Sequence, residues 1–291
     1  MRAAAERYLD QVHRGGNDWW RYALGAFTIG FFWLGLGYLP YTRLAATVAA
    51  HPLAEFIAVN FSIVMMLAGL AVTVKWIHGR DLLSLVTPHA RVDWPRMARA
   101  AAVWTVLSAA AAALEHLMFP GRYYLSFDAH RFWLSAAAVL VLTPLQCVTE
   151  ELVFRGYALQ GFSLLTRRPA LIAIGSSMLF AVPHLLNPEV HQYGAFVMTL
   201  NYFAIGMVLA AVTLRDGSLE LAIGLHAANN TFLALVANYE GSALTTEAVF
   251  TARELDPWYS LAALAASGAV FYCWFFGPAA SRTAGSTDPR E

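Results

Sequence analysis

Three ionisable side chains, Glu150, Glu151 and Arg155, stand within six residues, directly after the apolar run 132–148. A charge at the centre of a membrane-spanning helix costs about 2.5–3.5 kcal/mol, so such a group implies mutual pairing or a polar cavity. On a helix, Glu151 and Arg155 are four residues apart and share a face, which favours an ion pair. Glu150 points about 100° away from Glu151. The spacing therefore predicts one carboxylate held by Arg155 and one, that of Glu150, left free for chemistry.

Further polar side chains occur in two later apolar stretches. His184 follows Pro183 near the end of one stretch, and His226 and Asn230 stand four residues apart in another. His226 and Asn230 thus share one helix face, while the neighbouring Asn229 is expected to point away. A single buried histidine is more often structural. Two histidines, two glutamates, an arginine and an asparagine on three apolar segments instead indicate a functional site.

These residue types together can hydrolyse a peptide bond. A buried glutamate can serve as a general base, and a nearby histidine can share the proton and orient a water molecule. A second histidine and an amide can donate hydrogen bonds to the developing oxyanion, each worth about 3–4 kcal/mol in other hydrolases. The combination predicts acyl transfer to water, with no covalent intermediate and no cofactor. A catalytic zinc ion held by two histidines and a glutamate is the competing use of the same residues, although no His-Glu-x-x-His sequence occurs.

The composition is that of a membrane protein with several spans. The 291 residues are 58% hydrophobic and 13% charged, whereas a soluble domain carries about 25% charged residues. We therefore expect an all-α integral membrane protein that forms a single domain over residues 1–291, with its motifs inside 132–237. The net charge is zero, so no overall basic field favours nucleic acid.

Eight apolar stretches are long enough to span a bilayer, which takes roughly 20 residues. They are 22–39, 53–77, 97–119, 132–165, 170–186, 196–214, 219–237 and 258–276. An even number of spans puts both termini on one side, and most of the 19 basic residues share that side. The positive-inside rule then predicts that the N-terminus and the C-terminus are cytoplasmic. Lys75 is the only lysine, a usage typical of GC-rich bacterial genomes, so we expect a bacterial inner membrane.

The fourth stretch, 132–165, is too long for one straight crossing. It would form a helix of about 50 Å, against a bilayer core of about 30 Å. Pro144 should kink it, and we expect a tilted, bent helix that ends near Arg167. Glu150 and His184 are equally far from Arg167 along the chain. If the fourth and fifth stretches pack antiparallel, these two side chains come to a similar depth.

The motifs resemble those of a known family. Glu-Glu-x-x-x-Arg at 150–155, Phe-x-x-x-His at 180–184 and His-x-x-x-Asn at 226–230 are similar to the three motifs of the CPBP family. That family comprises the type II CAAX prenyl endopeptidases and the bacterial Abi proteases of bacteriocin self-immunity. All three motifs occur in the family's order, and the resemblance covers about 140–232. It implies a multi-helix intramembrane glutamic-type endopeptidase, whose substrate bond can lie near a prenylated C-terminus.

The resemblance also implies a role for each motif residue. Glu150 and His184 would activate the water, His226 and Asn230 would form the oxyanion hole, and Glu151 and Arg155 would support the site. The expected partners are a peptide or lipidated-peptide substrate and the lipid bilayer, with no nucleic acid, and the sequence leaves the oligomeric state open. Alternatives are a catalytically silent scaffold or immunity protein, a zinc-dependent intramembrane protease, and a transporter or proton relay. No inverted repeat is evident, which disfavours a transporter.

Three other polar side chains near these motifs are given structural interpretations. Cys147 is expected to pack as a small buried apolar group. Glu115, near the end of the third stretch, is expected at the membrane interface. Glu189 follows the fifth stretch and is expected to be solvated in its loop.

Overall fold

The computed structural model describes residues 2–43, 47, 52–243 and 246–278, and helices dominate this part of the chain. The α-helices are α1 (Arg2–Leu9), α2 (Trp19–Gly30), α3 (Leu39–Arg43), α4 (Pro52–Val72), α5 (Leu83–Val86), α6 (Trp94–Met118), α7 (Ala129–Glu151), α8 (Leu159–Phe162), α9 (Pro169–His184), α10 (Pro188–Tyr193), α11 (Ala195–Asp216), α12 (Glu220–Leu235) and α13 (Pro257–Phe276). A 3₁₀ turn covers Asp10–Arg14, and π-helical segments cover Phe31–Leu36, Thr73–Ile77 and Leu152–Ala158. The expected helical class is confirmed.

Within the described ranges, six helices are long and apolar enough to cross a membrane by length and composition. They are Trp19–Arg43, Leu53–Ile77, Trp94–Met118, Ala129–Phe162, Ala195–Asp216 and Pro257–Phe276. The other two predicted stretches form the 16-residue helices α9 and α12. At 1.5 Å per residue these are about 24 Å long, less than a bilayer core of about 30 Å. The expected count of eight spans is therefore not confirmed.

The long fourth stretch forms one helical rod, Ala129–Phe162, of 34 residues. Pro144 lies inside α7, and the rod changes to π-helical geometry at Leu152–Ala158, directly after Glu151. Such π segments occur frequently at functional sites. The rod ends at Phe162, slightly before the Arg167 end that we expected, because 163–165 form a turn rather than helix.

Aspartates begin three of the long helices. Asp93 accepts a hydrogen bond from the backbone N–H of Arg96 (3.0 Å), Asp128 from that of His130 (2.9 Å), and Asp256 from those of Trp258 and Tyr259. A carboxylate at this position satisfies donors that the first helical turn leaves unpaired. These caps fix where α6, α7 and α13 start.

A small sheet joins the loops at one end of the helix bundle. Its strands β1 (Tyr123–Leu125), β2 (Ala237–Tyr239) and β3 (Phe250–Ala252) are arranged in the order β1-β3-β2. β3 pairs antiparallel with β1 and parallel with β2. The all-α prediction did not include these strands. Strands of three residues in loops are too short to show an alternating pattern in the sequence. The sheet ties the α6–α7 loop to the α12–α13 connection.

Polar contacts join a different set of segments at the opposite end of the bundle. Arg167 forms an ion pair with Asp10 at 2.8 Å, and Arg96 forms an ion pair with Asp216. The Arg215 guanidinium lies 5.6 Å from the centre of the Phe276 ring. The start of the chain, the α11–α12 turn and the end of α13 are thus gathered at one end.

The helix α1 is fastened to the middle of the molecule by Tyr8. This side chain is fully buried, and its hydroxyl donates to the carbonyl of Leu85 (2.6 Å) and to that of Arg155 (3.0 Å). Arg155 lies in the π-helical segment that follows Glu151. The N-terminal helix therefore supports the backbone of that segment from behind.

Replacement of Tyr8 with Phe is expected to destabilise the protein by about 1–3 kcal/mol, because two buried carbonyls lose a donor. Thermal unfolding in detergent, followed by circular dichroism, measures the change. The matched control is Tyr38→Phe, at an exposed ring, which should leave the midpoint unchanged. Equal midpoints for Tyr8→Phe and the native protein would show that this anchor contributes nothing.

Candidate active site

The two adjacent glutamates end α7, and they have different surroundings. Glu151 Oε1 accepts a hydrogen bond from Arg155 Nη1 at 2.9 Å, and both side chains are fully buried. The predicted pairing of Glu151 with Arg155 is therefore confirmed. Glu150 Oε1 accepts from Gln146 Nε2 at 3.1 Å. Glu150 Oε2 is buried and has no hydrogen-bond partner among the described residues, which leaves one carboxylate oxygen available.

The side chain of His226 reaches from α12 to both glutamates. Its Nδ1 lies 2.8 Å from Glu151 Oε1, and its Nε2 lies 3.8 Å from Glu150 Oε2. If Glu151 is ionised it can only accept, so Nδ1 carries the proton in that hydrogen bond. Glu151 Oε1 then accepts from Arg155 and His226 together, and it orients the imidazole.

The ring of His184 is held at the end of α9 by three contacts. Its Nδ1 lies 2.8 Å from the carbonyl oxygen of Phe180. Because a carbonyl only accepts, Nδ1 must be protonated, and the neutral ring keeps its lone pair on Nε2. The ring centroids of Phe180 and Tyr202 lie 4.5 and 4.7 Å from that of His184. Asn187 donates to the Tyr202 hydroxyl at 3.0 Å, which steadies that second ring.

Asn230 completes the set, one helical turn beyond His226. Its Nδ2 lies 3.4 Å from His226 Nε2. Asn229 Nδ2 donates to Asn230 Oδ1 at 3.1 Å, and Trp104 Nε1 donates to Asn229 Oδ1 at 3.1 Å. The expectation that Asn229 points away is wrong, since Asn229 lines the same cavity. Asn229 lies about 100° from Asn230 around helix α12. It still reaches the cavity, because Trp104 of α6 lies on that side and donates a hydrogen bond to it.

A cavity of about 640 Å³ connects these side chains. Four of the six predicted site residues line it, namely Glu150, His184, His226 and Asn230, while Glu151 and Arg155 do not. Arg155 lies behind the cavity wall, with its guanidinium 4.1 Å from the centre of the Phe180 ring. On the cavity side, the Phe180 ring lies 4.5 Å from that of His184 and 6.0 Å from that of His226, measured between centroids. The structure thus brings all six residues to one place.

Several cavity residues were missed or misplaced by the sequence reasoning. Gln146 was not assigned a role, although its position four residues before Glu150 is a signal for a hydrogen bond on one helix face. Glu189, expected in solvent, is only 3% exposed and lines the cavity. Glu115, expected at the interface, also lines the cavity and pairs with Arg122 at 2.8 Å. Cys147 is fully buried, as expected.

The zinc alternative requires a ligand set. Among the described residues, no group of three or more histidine, cysteine, aspartate and glutamate side chains is arranged to hold a metal ion. The two histidines alone would not exclude an ion, because each has Nδ1 engaged, with Glu151 and Phe180 respectively, and keeps a lone pair on Nε2; what the described residues lack is the third ligand. The geometry of the described side chains gives zinc no preformed site.

Helix α12 carries His226 and Asn230, and its position depends on Gly224. A Cβ atom at Gly224 would lie 2.2 Å from the backbone oxygen of Met97. Only glycine lets α12 approach α6 so closely. Both helices contribute to one apolar cluster that includes Trp104 and Leu225.

Replacement of Gly224 with Ala should destabilise the protein by about 1–3 kcal/mol, as expected for overpacking against a rigid backbone. It should also lower any catalytic rate, because His226 lies on the helix that must move. Thermal unfolding and turnover in detergent measure both effects. Gly30→Ala is the control, since no atom lies within 4 Å of a Cβ there. Retention of the native midpoint by Gly224→Ala would contradict the close-approach argument.

Comparison with known proteins supports the assignment of the motifs. Residues 131–232 match the family model of the Rce1-like type II CAAX prenyl endopeptidases. The uncharacterized protein YyaK of Bacillus subtilis (strain 168) is 32% identical over 237 residues, which cover 76% of this chain and 79% of that relative. No solved structure matches the chain. Together with the six apolar helices, these matches identify an integral membrane protein of a protease family. The chain belongs to the Rce1-like family of type II CAAX prenyl endopeptidases.

Proposed function

We propose that this protein is an intramembrane glutamic-type endopeptidase, in which a water molecule attacks the peptide bond directly. Glu150 and His184 activate the water, and His226 and Asn230 stabilise the oxyanion. Glu151 and Arg155 are positioning residues that do not touch the substrate. The observation that carries the proposal is the division of the six residues by the cavity wall: the four with chemical roles line the cavity and the two supporting ones lie behind it.

The acceptor atoms that Glu150 and His184 leave free suit water activation. Glu150 Oε2 has no hydrogen-bond partner among the described residues, so a water proton has an acceptor there. His184 holds its Nδ1 proton on the Phe180 carbonyl, which leaves the Nε2 lone pair as a second acceptor. A water between the two groups would donate to both. Glu150 then takes the proton as the water oxygen attacks the carbonyl carbon.

Stabilisation of the oxyanion needs N–H donors that face the cavity. Asn230 has an amide for this purpose, and its Oδ1 is held by Asn229. His226 acts as a donor when Nε2 carries a proton, and its Nδ1–H remains on Glu151. The resulting imidazolium charge would lie between Glu151 and Glu150, at 2.8 and 3.8 Å. The Glu151 carboxylate and, until it takes up the water proton, that of Glu150 compensate the charge of this buried ring.

The substrate that we propose is a peptide, in the first instance one with a prenylated cysteine near the scissile bond. The cavity combines the polar groups above with large apolar side chains, among them Trp33, Phe56 and Met66. Apolar walls with a few convergent polar groups are typical of sites that bind an apolar group and orient a reactive one. A volume of about 640 Å³ accommodates several residues or a short lipid chain.

We further propose a single domain over 1–291 with eight membrane-embedded helices, and both termini on the cytoplasmic side of a bacterial inner membrane. The contacts of Arg167 with Asp10 and of Arg215 with Phe276 support termini at one end of the bundle. Most basic residues of the sequence are at that end. In this arrangement α9 and α12 are short because they end inside the bundle at the cavity.

The test is peptide cleavage by the purified protein in detergent, with prenylated and unprenylated peptides and detection by mass spectrometry. Cleavage in H₂¹⁸O should place one ¹⁸O atom in the new carboxylate, and hydroxylamine should trap no acyl-enzyme. A zinc chelator should leave the rate unchanged. Loss of activity with the chelator, restored by zinc, would favour the zinc-dependent alternative, and absence of cleavage of every peptide would favour a silent scaffold.

A further inference from the structure

The lining of the cavity is strongly biased in charge. Five glutamates line it, at positions 55, 115, 150, 189 and 254, and no lysine or arginine does so among the described residues. In the part of the chain that the structure describes, only one of the five, Glu115, forms an ion pair with an arginine, Arg122 at 2.8 Å. A concave site with one sign of charge and apolar walls concentrates its field and attracts ligands of the opposite sign.

Among the glutamates that line the cavity outside the proposed catalytic group, Glu189 is the most deeply buried. Its side chain is 3% exposed, and Oε1 accepts from the Tyr239 hydroxyl at 2.7 Å and from the backbone N–H of Ala243 at 3.1 Å. Oε2 is buried without a hydrogen-bond partner in the described part of the chain. No salt bridge to Glu189 occurs there either. A buried carboxylate with one unsatisfied oxygen is costly unless a donor reaches it.

The surroundings of Glu189 leave it without a cation of its own. Burial and the adjacent Glu189 carboxylate raise the pKa of Tyr239 well above its ordinary value, so that hydroxyl stays protonated and neutral. Tyr202 lies between Glu189 and His184. It is near enough to Glu189 to be affected by the charge of that carboxylate, and its ring centroid lies 4.7 Å from that of His184. Glu189 is therefore close to Tyr202, which packs against His184, but its own hydrogen bonds go to Tyr239 and Ala243 and not to the proposed catalytic residues.

We propose that Glu189 binds a positively charged group of the substrate peptide while its scissile bond lies at Glu150. This inference rests on the proposed endopeptidase function and narrows its substrate class to peptides that carry a lysine, an arginine or a free amino terminus at a fixed distance from the cleaved bond. A cationic N–H would donate to Oε2 and compensate the buried charge. Charge-assisted hydrogen bonds of this kind are the strong ones.

The test compares peptides that differ by one charge. A lysine is moved stepwise along an N-acetylated peptide, each time against norleucine, which keeps the chain length and removes the charge. Binding is measured by fluorescence anisotropy on the Glu150→Gln protein, and kcat/KM on the native protein. At one register the lysine peptide should bind at least about tenfold more tightly. Glu189→Gln, which keeps Oε1 as an acceptor, should remove that preference.

Two control variants separate the charge of Glu189 from its structural contacts. Tyr239→Phe removes a hydrogen bond to Glu189 but not the carboxylate, so the preference for lysine should persist. Glu240→Gln changes an exposed carboxylate that accepts from Tyr124 and does not line the cavity, and it should change neither binding nor turnover. A further pair of norleucine peptides, with and without the acetyl group, tests the terminal ammonium. If the free amine binds more tightly and Glu189→Gln removes that difference, the cation is the terminal ammonium and the role of Glu189 stands.

The outcomes distinguish this inference from the proposed function. Equal binding of lysine and norleucine peptides at every register together with equal binding of free and acetylated peptides, or a charge preference that survives Glu189→Gln, would overturn the role of Glu189 even if cleavage is observed. A preference for lysine that depends on Glu189, without cleavage of any peptide, would support the cation site and contradict the endopeptidase function.

Discussion

Replacement of Glu150 with Gln should lower kcat/KM by about 10²–10⁴-fold, the contribution expected of a general base. The amide keeps the size of the carboxylate and can still accept from Gln146 at Oε1, so the local hydrogen bond of 3.1 Å is retained. It removes the basic oxygen, Oε2, which has no hydrogen-bond partner among the described residues. The rate is measured on the best peptide substrate under single-turnover conditions, so that product release does not mask the chemical step.

Glu220→Gln is a closely matched control for this variant. Glu220 is also buried, accepts a hydrogen bond on Oε1 from the backbone N–H of Asp93 at 3.3 Å, and leaves Oε2 unpartnered in the described structure. It does not line the cavity. If kcat/KM falls because any buried carboxylate has been lost, both variants should be affected alike. If it falls because the general base has been lost, only Glu150→Gln should be affected. Equal rates for Glu150→Gln and native protein would falsify the direct-water mechanism.

Replacement of Arg155 with Leu should destabilise the protein by about 3–5 kcal/mol, the cost of leaving one member of a buried ion pair uncompensated. Arg155 and Glu151 are both fully buried and 2.9 Å apart. Chemical denaturation in detergent measures the free energy of unfolding. Arg131→Leu is the control, because its guanidinium is exposed and its contacts to Asp128 and Glu247 are 3.8 Å or longer; we expect a change within about 0.5 kcal/mol there.

A double variant separates stability from function at this pair. Glu151→Leu combined with Arg155→Leu should recover much of the lost stability, because an apolar pair of similar volume often replaces a buried ion pair without cost. Turnover should remain low, since His226 Nδ1 loses the carboxylate that orients it at 2.8 Å. Recovery of both stability and turnover would mean that Glu151 does not position His226.

The sequence predicted which side chains come together more accurately than it predicted the number of membrane spans. Glu151 and Arg155 pair because their four-residue spacing fixes them on one helix face, which needs no tertiary information. Convergence of Glu150, His184 and His226 was also predicted, since charged groups in apolar segments must find polar surroundings. The catalytic roles themselves stay predictions.

What could not be predicted depends on contacts between distant segments. Glu189 was expected to be solvated in a loop. The position of β2 instead places Tyr239 against it, and the Tyr239 hydroxyl donates to its carboxylate. Asn229 reaches the cavity because Trp104, on another helix, meets it there. The π-helical turn after Glu151 has no local signal in an apolar stretch. The helices α9 and α12 are shorter than their apolar stretches because those stretches continue into turns and strand.

The attachment of α1 by Tyr8 has a consequence for the order in which the protein is assembled during synthesis. Of the two carbonyls that accept from its hydroxyl, one belongs to Leu85, 77 residues later in the chain, and the other to Arg155, 147 residues later. Helix α1 therefore cannot complete its docking until more than half of the chain has been made. Contacts this distant form slowly, because a long loop must close before they contribute. In nascent chains arrested before residue 155, a protease should cleave the Arg2–Leu9 segment, and it should become resistant only in longer ones.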